Sequence, residues 1–228
     1  MCGRARLSSD VSEIKLAFRI PPERPMPNIA PSWNVAPTDP LPVVRYDAKD
    51  HQRSLEVMRW GLVPFWAKDI KVGFANINAK AEGIENRPAF RDAFRQRRCL
   101  VPVDNFFEWK KTASGKQPYA IALADRKLMA LAGLWESWRS PAGERVRSFA
   151  IVTTEPNELC AELHNRMPVI LSPEVWPAWL GEGTGGRGAA EIAAGPYPSD
   201  GIVCWPVSPR VGNVKNNDPS LIEPIAAG

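Results

Sequence analysis

The sequence has no apolar run approaching the roughly 18 residues that a membrane-spanning helix requires. No apolar signal-peptide core follows its first residues. The glycine-rich stretch 181–190 lacks the Gly-Lys-Ser/Thr ending of a phosphate-binding loop, so we interpret it as a flexible insertion without a nucleotide role. These absences predict a cytoplasmic protein that has no membrane partner.

Cysteine and histidine are scarce. The chain has 2 histidines and 4 cysteines, and the cysteines lie far apart at Cys2, Cys99, Cys160 and Cys204. A reducing compartment predicts free thiols rather than disulfides. Cys160 and His164 have a ligand-like spacing, but two ligands do not make a zinc site. We therefore expect neither a metal nor a cofactor.

Proline and tryptophan are in excess. The 23 prolines are about twice the background frequency, and together with 9 tryptophans they predict many ordered loops and large flat side chains. A composition of 44% hydrophobic and 24% charged residues is that of an ordinary globular protein. The net charge of +4 permits a nucleic-acid partner without requiring one.

The pattern of elements predicts one α+β domain over 1–228. Asp10 and Glu13 mark the start of a helix over 10–19, and dense prolines make 21–42 an irregular connection. Strands are predicted at 41–46, 54–60, 99–103, 106–110, 119–123, 128–135, 149–154 and 202–207, with short helices within 87–98, at 156–163 and near 191. Because strands and helices do not alternate, we expect a mainly antiparallel, barrel-like sheet with short flanking helices, in a monomer.

The position of Cys2 gives it chemical interest. Initiator methionine is normally removed before a small residue, which would leave Cys2 with a free α-amine beside its thiol. An α-amine, with a pKa of about 8, is more often neutral at pH 7 than a lysine and can form a Schiff base with an aldehyde. The thiol can then close a thiazolidine ring. The alternative is an incidental small residue at a frayed terminus.

Glu108 and His164 are candidate proton-transfer groups. In apolar surroundings the pKa of the Glu108 carboxyl would be raised into a range suited to general acid–base work. Strand alternation turns it away from Phe107 and Trp109, however, and predicts that it points to solvent. His164 can carry protons near neutral pH, and Arg166 two residues later suits an anionic substrate. A structural histidine is the alternative.

Basic and aromatic residues are interleaved in the sequence. They are Arg4, Lys80, Arg87, Arg91, Arg97 and Arg98, among Trp33, Trp60, Phe65 and Trp66. Cations that follow phosphates and rings that stack on bases are typical of single-stranded nucleic-acid grooves. The alternative is a solvated helix face beside core aromatics. Asn34 and Asn78 lie in short motifs, where a turn residue bonded to its own backbone is the alternative to a functional role.

Several short motifs follow one another along the chain. They are Met1-Cys2-Gly3-Arg4, Asn34-Val35-Ala36-Pro37, Trp60-Gly61-Leu62-Val63-Pro64 with Trp66, Asn78-Ala79-Lys80 followed by Glu82, Phe107-Glu108-Trp109, His164-Asn165-Arg166-Met167-Pro168, and the closing Val207-Ser208-Pro209 and Val211-Gly212-Asn213-Val214-Lys215-Asn216. In combination and order they resemble the SRAP family, the SOS-response-associated, abasic-site-processing proteins. The resemblance covers almost the entire chain.

The resemblance implies a sensor of abasic sites in single-stranded DNA that crosslinks itself to them. Cys2 would attack the ring-opened aldehyde and end in a stable thiazolidine, Asn78 would position the cysteine, Glu108 would transfer protons, and His164 would promote opening of the sugar ring. The DNA contacts implied are Arg4, Asn34, Trp66, Lys80 and Arg166. The family commonly has arginine where this chain has Lys80, which keeps the charge but loses the bidentate fork.

Three functions stay open on the sequence. The first is covalent capture of abasic DNA in the DNA damage response, with strand cleavage by β-elimination from the same imine as an abasic-site lyase activity. The second is a cysteine-type peptidase that uses Cys2, Glu108 and His164, including autocatalytic removal of Met1. The third is a single-stranded nucleic-acid-binding module in which Cys2 is incidental.

Overall fold

The computed structural model describes residues 2–183 and 188–226. Its strands are β1 (Ala5–Leu7), β2 (Ser32–Val35), β3 (Pro40–Asp47), β4 (Gln52–Trp60), β5 (Asn78–Lys80), β6 (Arg98–Val103), β7 (Asn105–Thr112), β8 (Gly115–Leu123), β9 (Met129–Arg139), β10 (Arg145–Thr154), β11 (Met167–Pro168) and β12 (Ile202–Pro206). Its α-helices are α1 (Val11–Ala17), α2 (Arg91–Gln96), α3 (Glu158–Ala161), α4 (Trp176–Leu180) and α5 (Ala189–Ile192). Short 3-10 helices lie at Ile70–Ala75, Ile84–Asn86, Ser199–Gly201, Pro209–Gly212 and Pro219–Ile222.

Five strands close a barrel. β3 pairs antiparallel with β4 and β6, β6 with β9, and β9 with β10, while β10 pairs parallel with the end of β4 and completes the ring. The main core contains fully buried side chains from these strands, including Val43, Leu100, Leu134 and Phe149. The predicted α+β class, with a mainly antiparallel and barrel-like sheet, is confirmed.

A second sheet, wholly antiparallel, has the strand order β12-β8-β7-β1-β2. Successive side chains on β7 point to opposite faces of this sheet. Phe106 belongs to the main core, whereas Phe107 packs in a smaller cluster with Val207, Val211 and Leu221. Both faces of β7 are therefore covered.

The chain makes a long excursion from the edge of β10. β4 ends beside Phe149 of β10, and β5 begins beside Ile151, farther along the same strand. Residues 61–77, which we call the excursion loop, leave and return between these points. At its neck the Leu62 N–H donates to the Asn76 carbonyl at 3.1 Å.

The backbone at Gly61 passes very close to the backbone at Gly73 near this neck. Gly61 has a φ of 119°, which L side chains rarely adopt. A Cβ on Gly73 would lie 2.6 Å from the Gly61 carbonyl oxygen, so the second position requires glycine for space. Farther out, the indole N–H of Trp138 donates to the Ala67 carbonyl at 2.6 Å. These contacts tie the excursion loop to the barrel.

Local chemistry explains where the sequence predictions hold. α1 begins with the predicted capping box, in which Asp10 accepts from the Ser12 N–H and Glu13 accepts from the Asp10 N–H. The hairpin of β3 and β4 forms as predicted. The proline-rich connection contains β2, which prolines permit because it lies at the edge of its sheet.

The glycine-rich insertion predicted at 181–190 is only partly described. Residues 184–187 lie outside the described residues. Before them Gly181 ends α4 with a φ of 79°, and after them α5 begins at Ala189.

Candidate functional site

Cys2 is packed into the core at the head of β1. Its exposed fraction is 0%. β1 is held between β2 and β7, and the Phe107 N–H donates to the Arg4 carbonyl at 3.0 Å, which continues the pairing toward Cys2. Burial, with the negative charge of Glu108 as a second cause, raises the pKa of the Cys2 thiol. Cys2 is therefore held in the fold and does not lie on a frayed terminus, and its thiol is protonated at neutral pH.

The prediction that Glu108 points to solvent is wrong. Its exposed fraction is 5%, and burial raises the pKa of its carboxyl to about 7. Alternation does turn it away from Phe107, but the face that it shares with Phe106 is covered by the main core. Its negative charge acts on the Cys2 thiol, so the two groups belong to one site.

His164 lies just after α3, where its backbone N–H donates to the Cys160 carbonyl at 2.9 Å. Its Nδ1 accepts a hydrogen bond from the Arg166 N–H at 3.0 Å. In the neutral ring the proton is therefore on Nε2. Partial burial lowers the pKa of His164, and the positive charge of Lys111 acts in the same direction. The ring is thus neutral at pH 7 and carries its N–H at Nε2.

Asn78 and the segment after His164 lie along opposite edges of β10, and a role for Asn78 beside Cys2 stays a prediction. β5 pairs parallel with one edge, and β11 pairs antiparallel with the other. The Asn78 Nδ2 donates to the Ile77 carbonyl at 3.1 Å. Its Oδ1 is buried and accepts no hydrogen bond from any described residue. Buried acceptors without a donor are rare, so this oxygen is available to a ligand N–H or O–H.

Arg166 is held beside β10 by an acidic partner. Its two terminal nitrogens each donate to one carboxylate oxygen of Glu82 at 2.8 Å, and Nη2 also donates to the Thr153 carbonyl at 2.7 Å. Lys80, two residues before Glu82, is exposed. Reasoning on the sequence left Glu82 without a role, although its place in the shared motif was an available signal. DNA contact by Arg166 and Lys80 stays a prediction.

Arg4 and Asn34 are joined to residues 207–222, which we call the carboxyl-terminal strap. Arg4 Nη1 donates to Asn34 Oδ1 at 2.8 Å and to the Val211 carbonyl at 2.5 Å. Asn34 is 3% exposed. Its Nδ2 donates to three strap carbonyls, at 3.3, 3.0 and 2.7 Å, those of Val211, Asn213 and Asn216. These bonds tie β1, β2 and the strap together, and DNA contact by either residue stays a prediction.

The excursion loop presents aromatic rings to solvent. Phe65 is 57% and Trp66 is 52% exposed. Trp60, by contrast, is fully buried, and Arg97 and Arg98 are bonded to a carboxylate and to backbone carbonyls inside the fold. The interpretation of these last three residues as part of an open groove is wrong.

Within residues 2–183 and 188–226, no three His, Cys, Asp or Glu side chains are grouped so as to hold a metal ion. No helix in the same ranges is long and apolar enough to cross a membrane.

The sequence model described as SOS response associated peptidase (SRAP) matches residues 1–214. The chain belongs to the SRAP family. Among SRAP relatives, the abasic site processing protein YoqW of Bacillus subtilis is 39% identical, over 98% of this chain and 99% of its own. The abasic site processing proteins YedK of Escherichia coli, 32% identical over 83% of this chain and 88% of its own, and HMCES of Rattus norvegicus, 30% identical over 98% and 76%, are similar as well.

A crystal structure of a protein from Bacteroides thetaiotaomicron has the same fold as this chain. That structure matches with a TM-score of 0.86 and 24% identity, covering 99% of this chain and 100% of the other. Membership of the SRAP family, which the order of the short motifs predicts, is confirmed.

Proposed function

We propose that this SRAP protein processes abasic sites in single-stranded DNA by crosslinking itself to them through Cys2, as part of a DNA damage response. The observation that carries the proposal is the burial of Cys2 beside Glu108, whose pKa of about 7 lets it give and take protons at neutral pH. The relatives YoqW, YedK and HMCES are abasic site processing proteins, which supports the same substrate.

The proposed reaction begins once Met1 is removed and Cys2 carries the α-amine. The amine attacks C1′ of the ring-opened sugar, and loss of one water gives an imine. The sulfur of Cys2 then bonds to the imine carbon while its proton passes to the imine nitrogen, which closes a thiazolidine. Because burial and Glu108 raise the pKa of the thiol, the sulfur stays protonated until a base acts, so the amine reacts first.

The side chains around Cys2 suit these proton transfers. Glu108 protonates the departing hydroxyl, takes back a proton from the nitrogen as the imine forms, and relays the thiol proton to the imine nitrogen during ring closure. His164, neutral and with its proton on Nε2, donates a hydrogen bond to the sugar ring oxygen. The ring opens as the C1′ hydroxyl loses its proton and the ring oxygen gains one. Asn78 Oδ1, buried and without a donor, accepts an N–H of the amine and so orients it.

The residues proposed to contact DNA are of two kinds, those whose side chains are exposed and those that are hydrogen-bonded within the protein. Lys80 and Trp66 are exposed and would meet a phosphate and a base directly. Arg166 would release Glu82 and bind a phosphate in its place. Arg4 and Asn34, both held by the carboxyl-terminal strap, would shape the floor of the groove beside Cys2. Cleavage by β-elimination is a second fate of the same imine.

The test is adduct formation with an oligonucleotide that carries one abasic site. Mass spectrometry of the purified protein is expected to find Cys2 at the amino terminus. Denaturing gels after heating are expected to show an adduct with abasic DNA and none with intact DNA. Cys2→Ala should abolish the adduct, whereas Cys99→Ala, which changes another fully buried cysteine, should not. Retained Met1, or an equally stable adduct in Cys2→Ala, would refute the proposal.

A further inference from the structure

A groove runs over a face of the protein that the candidate functional site does not use. It consists of two adjoining cavities of about 550 and about 490 Å³. The two cavities share the residues at their junction, Ile170, Leu171, Ser172 and Tyr197. The candidate catalytic residues are not among the described residues that line them. We call this feature the α1 groove, because α1 supplies one of its walls.

The floor of the α1 groove is apolar and held in place. Leu128, Ile170 and Trp176 contribute to it. The indole N–H of Trp176 donates to the Leu171 carbonyl at 2.9 Å, and its ring stacks on Phe18 with 4.8 Å between ring centres. Because the floor is formed before any ligand arrives, binding there orders few groups and keeps most of the affinity that the contacts supply.

α1 brings an exposed apolar side chain to the edge of this floor. Glu13, Leu16 and Ala17 follow one another at helical spacing on one face of α1, and all three line the larger cavity. Leu16 is 83% exposed. The capping box at Asp10 fixes the start of α1 and so the direction of this face. Leu16 and the floor together form an apolar patch of the kind that partners cover.

The rim of the α1 groove is acidic. Burial raises the pKa of the Tyr197 hydroxyl at the junction of the cavities, and three carboxylates raise it further. These carboxylates belong to Asp125, Glu174 and Asp200, which are all exposed. Glu13 adds another carboxylate on the wall formed by α1. The junction therefore lies in a negative field.

The basic residues of the larger cavity do not cancel this field. The ammonium of Lys127 lies 3.2 Å from the Asp125 carboxylate and offsets that one charge. The guanidinium carbon of Arg126 lies 4.0 Å from the centre of the Trp205 ring, which is not among the described lining residues. Its charge is thus directed away from the groove.

Two of the acidic residues keep their charge for a ligand. Arg19 acts on Glu174, but no ion pair joins Glu13 or Asp200 to a cation of any described residue. Such a rim attracts lysine and arginine, and it repels the phosphates of nucleic acids and of anionic lipids. The charge therefore selects a cationic and apolar ligand.

We propose that the α1 groove binds a segment of a partner protein in which large apolar side chains are flanked by lysine or arginine. The apolar side chains enter the floor beside Leu16, and the cations meet the carboxylates of the rim. Two joined cavities suit a chain that crosses both of them, as peptide segments do in apolar grooves. The inference goes beyond the proposed function, because this binding needs no chemistry at Cys2.

The test measures binding of a fluorescent synthetic peptide to the full chain by anisotropy. The lysine peptide spans about three helical turns, with leucine on one face and lysine on the other. The glutamate peptide has glutamate in place of lysine. We expect saturable binding of the lysine peptide and much weaker binding of the glutamate peptide, because the rim is acidic.

Four variants examine the groove itself. Leu16→Ala is expected to weaken binding of the lysine peptide roughly 5- to 30-fold, as for loss of an interface anchor. Its matched control is Met26→Ala, which shortens another exposed apolar side chain and should bind like the unchanged protein. Asp200→Lys should weaken the lysine peptide roughly 2- to 5-fold and strengthen the glutamate peptide. Glu144→Lys, at the exposed turn between β9 and β10, makes the same change in net charge and should do neither.

Equal affinity of Leu16→Ala and Met26→Ala for the lysine peptide would overturn the inference, as would equal effects of Asp200→Lys and Glu144→Lys. Sedimentation velocity of the protein alone examines a second copy as the occupant. A dimer that Leu16→Ala abolishes would assign the groove to self-association instead. Adduct formation with abasic DNA should be unchanged in Leu16→Ala, and slower formation would place the groove in the path of the DNA and overturn the inference too.

Discussion

Arg4, which lies two residues after Cys2, donates a hydrogen bond of 2.8 Å to the Oδ1 of Asn34. The amide nitrogen of Asn34 donates in turn to carbonyls of the carboxyl-terminal strap, 177 or more positions away. One buried amide therefore joins the first strand, the second strand and the last segment of the fold. The position of Cys2 depends on residues at both ends of the chain.

Replacing Asn34 by alanine should loosen this junction. Asn34→Ala leaves buried carbonyls without a donor, so we expect the free energy of unfolding to fall by about 1–3 kcal/mol, measured with urea. Adduct formation at saturating DNA should also slow, because β1 is less well held. The control Asn28→Ala, at an exposed position, should stay within about 0.5 kcal/mol of the unchanged protein. Equal stability of the two variants would contradict this role.

Glu108 should make stability depend on pH. Its pKa is raised from 4.5 to about 7 in the folded protein, so between these values the folded state holds more protons than the unfolded chain. The free energy of unfolding must then fall as pH rises through this window, by on the order of 3 kcal/mol. Glu108→Gln removes this dependence. Urea unfolding is measured at pH 4.5 and pH 8. Relative to the unchanged protein, the free energy of unfolding of Glu108→Gln should be higher at pH 8 than at pH 4.5. The same difference between the two proteins at both pH values would argue against a raised pKa.

His164 should matter for opening the sugar and not for the later steps. We expect His164→Ala to slow adduct formation with natural abasic DNA by roughly 100-fold, the lower end for loss of a side chain that assists proton transfer. An oligonucleotide with an acyclic aldehyde has no ring to open, so the variant should react with it nearly as fast as the unchanged protein. His51→Ala, at an exposed turn, serves as the control. Equal slowing on both substrates would assign His164 to another step.

The crossing of Gly61 and Gly73 should tolerate no side chain. In Gly73→Ala the new Cβ would lie 2.6 Å from the Gly61 carbonyl oxygen, so the excursion loop must shift. We expect a loss of about 1–3 kcal/mol in thermal or urea unfolding, as for other overpacked sites, and weaker binding of single-stranded DNA. Gly212→Ala, where a Cβ meets nothing within 4 Å, should be nearly neutral. A neutral Gly73→Ala would mean that the two backbones can separate freely.

Local chemistry in the sequence predicts much of this fold. The capping box of α1 and the hairpin of β3 and β4 depend on residues close together in the chain, and both form as predicted. Glu108 could not be placed in the same way. Alternation determines which face of β7 it occupies, but what covers that face is decided by packing between β7 and distant elements.

In the candidate site, too, features that depend on neighbouring residues can be predicted and contacts between distant residues cannot. The order of short motifs predicts the family, because each motif consists of a few neighbouring residues that can be recognised in the sequence. The pairing of Arg166 with Glu82 and the bonding of Asn34 to the strap join positions 84 and 177 residues apart. No periodicity or spacing in a single sequence indicates such contacts. The ring of Phe74 over Arg59 belongs to the same class, because the excursion loop alone brings them together.

β1 is hydrogen-bonded along both edges, to β2 and to β7. DNA attached at Cys2 would pull on the protein through this strand. A pull along a strand loads its hydrogen bonds all at once, in shear, instead of opening them one after another. A motor that translocates along the DNA would therefore have to unfold the whole sheet to extract this strand, and the unfolding rate of the sheet would limit that extraction. We therefore expect such an adduct to resist mechanical force.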